Sequence, residues 1–202
     1  MKITKKILKI SIIKSIYYSI KTRSVFIISK KVKINCNGKI EVKKGSRITI
    51  GLEYHSPCPN VSIFIGKSGI LFFNGNVSIK KGCLLSVDES AYLEIGNKTF
   101  INEGTKILVY DSCIIGSNCA VSYDVLISDS DVHSIDDKPS TSPINIGNHV
   151  WISARASILK GVDIGNNAVI GSGSIVLNSV NSNELVVGIP AKKLRGNVRW
   201  KH

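Results

Sequence analysis

The chain has 202 residues, 43% hydrophobic but only 6% aromatic, which is enough for one domain with an aliphatic core and too little for one built on rings. No apolar run is long enough to span a bilayer, and the basic N-terminus, interrupted at Lys14 with no small-residue cleavage site after it, does not read as a signal peptide. The formal charge of +13 is concentrated: residues 1–47 hold fourteen Lys or Arg against one acid, Glu41, whereas residues 48–202 hold thirteen of each sign; with no stacking aromatics or recognised motif beside it, this charge does not argue for a nucleic-acid partner.

Residues 1–30 read as a basic amphipathic helical segment, free of Gly and Pro through residue 23. Lys2, Lys5, Lys6 and Lys9 share one face, with Ile3, Ile7 and Ile10 opposite. After Ser11 the apolar face moves to Ile12, Ile13, Ile16 and Ile20, so two short helices or one bent helix fit better than a straight rod. Two roles suit the segment: a cap over the open edge of the domain that follows, or an interfacial anchor attracted to anionic lipid on the inner face of a cytoplasmic membrane.

From Lys31 to Pro190 aliphatic residues recur every sixth position, imperfectly at first. Ile34 and Ile40 are followed by an offset to Ile48 and Ile50, then Ile65, Leu71 and Val77. Slips surround Cys83, and a further slip precedes Ile115, Val121 and Ile127. The clean register is Ile146, Ile152, Ile158, Ile164, Ile170 and Val176, with Val150, Ala156, Val162, Ala168 and Ser174 each two residues before an aliphatic. A period of six suits no amphipathic α-helix, and each interior Gly would cost a helix ~1 kcal/mol. It suits a parallel β-helix of about seven coils, one hexad to a face, the aliphatic inside and Gly at the corners. The five cysteines form no CxxC pair and are odd in number. Cys113 and Cys119 precede Ile115 and Val121 by two and read as small buried hydrophobes. A reducing cytoplasmic compartment accounts for all five better than a zinc site or a disulfide framework.

Two stretches break the repeat. Residues 51–60 form a Pro-containing insertion. Residues 128–143 form a polar loop whose one histidine, His133, has the chemistry of a general base near neutral pH. His55 lies in the insertion, His149 at an outward-facing hexad position and His202 at the end. After Val187 the chain leaves the repeat, and residues 191–202 form a basic tail that sequence assigns to neither helix nor strand.

Trp151-Ile152-Ser153, Ile158-Leu159-Lys160-Gly161-Val162, Ile170-Gly171-Ser172-Gly173-Ser174 and Gly188-Ile189-Pro190-Ala191-Lys192 resemble the left-handed β-helix O-acetyltransferases, which include galactoside and maltose acetyltransferases and sugar acetyltransferases of capsule and lipopolysaccharide assembly. The resemblance covers about residues 32–200 and is most specific in its last third. It implies an all-β fold, a left-handed parallel β-helix of hexapeptide repeats with a short N-terminal helical segment. It also implies a homotrimer holding acetyl-CoA, the acyl donor, in the groove between neighbouring solenoids, with no metal.

His133, ahead of the Pro143–Gly147 restart, matches the family's catalytic histidine. Asp131, Asp129 or a main-chain carbonyl would hold its other ring nitrogen. Ala154 and Ser172 match positions whose backbone meets the pantetheine arm. Leu177 and Asn178 stand where relatives usually carry Thr and Lys, which removes side-chain contacts there but leaves main-chain ones. Lys192 and Arg195 match basic residues near the nucleotide phosphates. Trp151 matches an aromatic bordering the reaction channel, and Asn102 an acceptor-binding asparagine; Ser153 replaces a common Gly. The implied function is acetyl-CoA-dependent O-acetylation of a sugar hydroxyl on a bacterial surface polysaccharide or its precursor. The alternatives are N-acetylation of a nucleotide-linked amino sugar, a carbonic anhydrase on the same solenoid (which needs three converging histidines) and a non-enzymatic β-helical binding protein.

Overall fold

The computed structural model describes residues 10–52 and 60–201. Over these residues the chain winds into a three-faced spiral. Face 1 has nine strands, from Val25–Ile28 to Ala191–Arg195; face 2 has seven, from Lys33–Cys36 to Ile175–Val176; face 3 has six, from Lys39–Val42 to Asp163–Ile164. Successive strands within a face pair in parallel, except that Leu185–Gly188 and Ala191–Arg195 run antiparallel.

The interior explains both the clean repeat and its slips. Ile152, Ile158 and Ile164 point inward from short strands, one per face, Ile170 repeats Ile152 one coil later, and all are buried. Earlier coils are wider. Register partners on face 1 are 22 residues apart at Ile79 and Ile101 but 18 apart at Ile152 and Ile170. The longer strands place two side chains inside, as with Ile63 and Ile65, Leu71 and Phe73, and Leu93 and Ile95. The slips are therefore extra length in a face, with strand periodicity of two running inside the coil repeat. Each buried aliphatic contributes ~1.5–3 kcal/mol of transfer free energy.

Corners are built from backbone proximity and short polar side chains. A Cβ on Gly116 would lie 2.5 Å from the Gly147 carbonyl oxygen, so the coils stack this closely only over glycine. Asn118, His149, Asn167 and Asn183 follow one another at the corner between faces 3 and 1, all with positive φ, a conformation Asn tolerates better than most residues. Buried corner hydroxyls and thiols bond the next coil: Thr99 Oγ1 donates to the Gly116 carbonyl at 2.7 Å and Cys119 Sγ to that of Gly147 at 3.1 Å. The described cysteines are free thiols; Cys113 and Cys119 are fully buried, and burial pushes the Cys119 thiol up to about 11.

The two ends of the spiral are covered differently. Helix α1 (Ile12–Thr22) lies against the free edge of strand β1 (Val25–Ile28). Ser15 and Ser19, one helical turn apart, accept hydrogen bonds from the amides of Ile28 (3.0 Å) and Phe26 (2.9 Å), the donors that a further strand would otherwise satisfy. Tyr18 packs beside them against Phe26, with ring centroids 5.6 Å apart and planes tilted by 37°. The cap role expected of the N-terminal segment is thus taken by α1. The spiral begins at Val25, earlier than residue 31, because the β-branched and aromatic run Val25-Phe26-Ile27-Ile28 favours a strand once Arg23 has closed the helix with a left-handed φ of 52°. The basic stretch ahead of Ile10, most of the 51–60 insertion with His55 and Cys58, and His202 lie outside the described residues. At the far end, the tail that sequence left undecided is a strand, Ala191–Arg195, laid against Leu185–Gly188.

Candidate functional site

The loop at 128–143 leaves face 2 after Leu126–Ser128 and rejoins face 3 at Ile144–Ile146, so it projects from the corner between those faces. Its stem is a short antiparallel ladder: Ser130 bridges Thr141, the Asp131 amide donates to the Ser140 carbonyl (2.9 Å) and the Ser142 amide to that of Asp129 (2.9 Å). Asp129 is fully buried. Its carboxylate reaches back one coil to accept the amides of Tyr110 (2.8 Å) and Asp111 (2.9 Å). Burial raises its pKa; those amides oppose the shift, and burial outweighs them. Asp129 is therefore a foundation of the loop rather than a partner for an imidazole.

Lys160, one coil further on, ties the loop to the wall. Its Nζ lies 2.8 Å from the Asp131 carboxylate and donates to the Pro139 carbonyl at 2.7 Å, reaching both limbs of the loop. Asp131, expected beside the His133 ring, is thus bonded to a lysine instead. The physical reason is that Lys160 projects from the coil directly beneath the stem.

His133 is exposed near the tip. Val132, immediately before it, has φ 66°, a left-handed conformation that costs a β-branched residue ~1–3 kcal/mol. Val132 and Ile135, on either side of the histidine, are 58% and 66% exposed, so the tip shows apolar side chains that its own chain does not cover.

The remaining candidates fall into separate groups. Trp151 projects from face 1, 38% exposed, and its Nε1 donates to Ser122 Oγ at 3.2 Å. Asn102 stands one coil before Ser122 in the same column, since the Asn102 amide bonds Val121 as the Ser122 amide bonds Ile152. Ala154 and Ser172 occupy the adjoining corner between faces 1 and 2 in successive coils, the Gly173 amide donating to the Ala154 carbonyl at 2.9 Å. Leu177 and Asn178 are exposed at the corner between faces 2 and 3, one coil beyond Leu159 and Lys160. Lys192 and Arg195 are exposed on the tail strand, where Lys193 pairs with Glu184 at 2.6 Å and holds that carboxyl below its usual range.

Face 2 therefore separates two sets. Asn102, Ala154 and Ser172 stand at its edge with face 1, from which Trp151 projects; Asp131, His133, Leu177 and Asn178 stand at its edge with face 3. Within one chain they do not converge.

One aromatic arrangement has no local signature in the sequence. Trp200 folds back so that its ring stacks on His149, with centroids 4.1 Å apart and planes 9° apart, while its Nε1 donates to the His149 carbonyl at 2.9 Å. Trp151 stands 6.0 Å from Trp200. The signal available was Trp200 itself, the one aromatic in the basic tail. Among the described residues no group of three His, Cys, Asp or Glu stands together as metal ligands, and His133 and His149 occupy different corners.

Comparison with known proteins gives this geometry a family. Residues 143–178 match the bacterial transferase hexapeptide model, described as six repeats. Galactoside O-acetyltransferase of Escherichia coli K12 is 33% identical over 143 residues, 62% of this chain and 70% of that protein. The solved structure of the polysialic acid O-acetyltransferase OatWY superposes with a TM-score of 0.61 at 25% identity, covering 89% of this chain and 88% of that one. A hexapeptide-repeat acetyltransferase from Vibrio cholerae, solved with acetyl coenzyme A, is 30% identical with a TM-score of 0.50 over 53% of this chain and 61% of that one. Repeat, spiral and relatives agree: the chain belongs to the left-handed β-helix, hexapeptide-repeat acetyltransferase family.

Proposed function

We propose that the protein is an acetyl-CoA-dependent O-acetyltransferase whose acceptor is a sugar hydroxyl of a bacterial surface polysaccharide or its precursor, working as a homotrimer with His133 as general base. The observation that carries this reading is the presentation of His133: an imidazole near the tip of a loop whose stem is fastened to the wall by Asp129 and Lys160, flanked by exposed Val132 and Ile135. A flexible surface loop would need no such foundation. The separation of the two residue sets across face 2 supports assembly, because a second copy would set the His133 edge of one chain against the Ala154 and Ser172 edge of another.

In the proposed reaction His133 removes the proton of the attacking hydroxyl as its oxygen bonds the thioester carbonyl carbon. The imidazolium then returns that proton to the departing sulfur as the carbon–sulfur bond breaks. The residues present suit the donor. Lys192 and Arg195 offer exposed cations to phosphates, and the small side chains of Ala154 and Ser172 leave the backbone open to an extended arm. Asp131 acts through Lys160, holding the loop rather than the ring. Galactoside and polysialic acid are the acceptors named for two relatives, which supports a sugar here.

The test is release of free CoA from acetyl-CoA in the presence of candidate glycans, with the product treated with mild base. An ester is cleaved and an amide survives, which separates O- from N-acetylation. A His133→Ala enzyme that retains full activity, or a wild-type protein that is monomeric and active, would sink the reading.

A further inference from the structure

Helix α1 is turned the opposite way from an ordinary surface helix. At 3.6 residues per turn, Ser15, Ser19 and Thr22 fall on one side and Ile13, Ile16, Tyr17 and Ile20 on the other. It is the serine side that faces the spiral, because the edge amides of β1 need acceptors. The isoleucine side faces out: Ile13 is 83% exposed, Ile20 75%, Tyr17 55% and Ile16 54%. We propose that this outer face lies on a bilayer containing anionic lipid and holds the N-terminal end of the spiral against the membrane surface.

Three observations choose this occupant. The first is charge: residues 1–47 carry fourteen basic side chains and one acid, while the rest of the chain is balanced. Ten of those basic residues fall within the described residues 10–47, in and between α1 and the strands next to it, so the end that α1 covers is positive and complements an anionic surface. Lys21 borders the apolar side, its Nζ 5.7 Å from the Tyr17 ring centre, where a cation meets headgroups as the ring enters the interface. Second, the same charge opposes a second copy, since pairing two such ends would set like charge against like. Third, α1 has eleven residues, roughly 16 Å, too short to cross the hydrocarbon and suited to lying in the interface. Because Ser15 and Ser19 bind the helix to the spiral from behind, the apolar side is presented by a fixed support and pays no folding cost on landing.

The experiment is co-sedimentation of the full chain with vesicles of phosphatidylcholine alone or with roughly a third phosphatidylglycerol. The expected result is binding to the anionic vesicles, at least ~tenfold weaker on neutral ones and at least ~tenfold weaker again for the Ile13→Asn/Ile16→Asn/Ile20→Asn variant. The variant's melting temperature should fall little, since Ile13 and Ile20 are mostly exposed and Ile16 is half-exposed. Wild-type protein that ignores anionic vesicles overturns the proposal, as does a triple variant that binds undiminished. So does a wild-type assembly, measured by light scattering without vesicles, that falls to a smaller oligomer in the triple variant while vesicle binding is absent. The proposal is independent of the catalytic one: His133→Ala should bind vesicles as wild type does, whatever its activity.

Discussion

The coil that runs from Ile144 to Ile170 and the loop that precedes it, 128–143, are neighbours in the chain and opposites in how they are held. The coil is stabilised by repetition, with Ile146, Ile152, Ile158, Ile164 and Ile170 all buried and the strands of each face bonded to those of the same face in neighbouring coils. The loop adds no side chain to the hydrophobic interior, and only polar Ser128 and Asp129 at its base are buried. It is fixed by individual bonds, from Asp129 below, Lys160 beside and a two-limbed stem between. A repeat tolerates no change of shape but needs no particular side chain beyond an aliphatic one. A loop fixed by individual bonds can carry a unique residue in a strained backbone, as Val132 and His133 show. On the proposed reading stability and chemistry are separated in space, and substitutions should separate them too.

The largest effect belongs on the loop. His133→Ala should lower kcat by ~10²–10⁴-fold, the usual worth of a positioned general base, and leave the thermal transition where it was, because the side chain is exposed. The wall should show the converse. Ile158→Ala empties a fully buried position and should cost ~2–5 kcal/mol, read as a lower denaturation midpoint, while the folded fraction keeps its specific activity. If Ile158→Ala abolished turnover in protein that is still fully folded, or His133→Ala unfolded the chain, the division between wall and loop would be wrong.

The same contrast decides what could be read beforehand. From Ile144 onward one aliphatic per face makes the period visible residue by residue. In the wider coils the second inward side chain, such as Ile63 beside Ile65 or Leu93 beside Ile95, blurs six into two and looks like a slip. β1 has no boundary signal in the sequence because Val25–Ile28 follows α1 without a Gly or Pro between them. In the candidate site, the placement of His133 in the one long polar break was legible; the fate of Asp131 was not. Its partner Lys160 reads in the sequence as an ordinary hexad surface residue, and only stacking of coils brings the two within 2.8 Å. The stacking of Trp200 on His149 spans 51 residues and leaves no local trace. The likeness of α1 to a surface helix was visible, but its inverted orientation depends on the unmet amides of β1, which no helical periodicity reports.

A finer test of the loop is its tether. Lys160→Met keeps most of the stem's packing but removes the bonds to Asp131 and Pro139. The pair is partly solvent-exposed, so stability should fall by no more than ~1 kcal/mol. Turnover should fall further than that, by about tenfold, because small misplacement of a reacting group is expensive. A positioning role predicts that the loss appears in kcat with KM for acetyl-CoA nearly unchanged, and that Lys160→Arg restores most of it. Equal losses in Lys160→Met and Lys160→Arg would assign the effect to packing at that corner instead.

The smallest effect is expected at the tail, the other non-repeating piece held by a lysine and a carboxylate. Lys193 bonds Glu184 at 2.6 Å and lowers its carboxyl pKa. A carboxyl depressed in the folded state stabilises it at pH above the unfolded value, roughly 4.3, and that contribution fades as pH falls through the lower folded value. The tail should therefore loosen in acid before the coils do. The emission of Trp200, stacked on His149, gives a local reading of its release. In a Trp151→Phe background, which leaves Trp200 as the sole indole, its emission should shift below the ordinary carboxylate range while the far-ultraviolet signal of the strands stays constant. Glu184→Gln should remove that pH dependence and leave the tail equally loose at neutral pH. A tail that releases at the same acidity in the presence and absence of the Glu184 carboxylate would place its anchorage in the strand pairing and the Trp200–His149 contacts instead. The loop and the tail would then be fastened by different physics, the first by charged side chains and the second by strand pairing and ring contact.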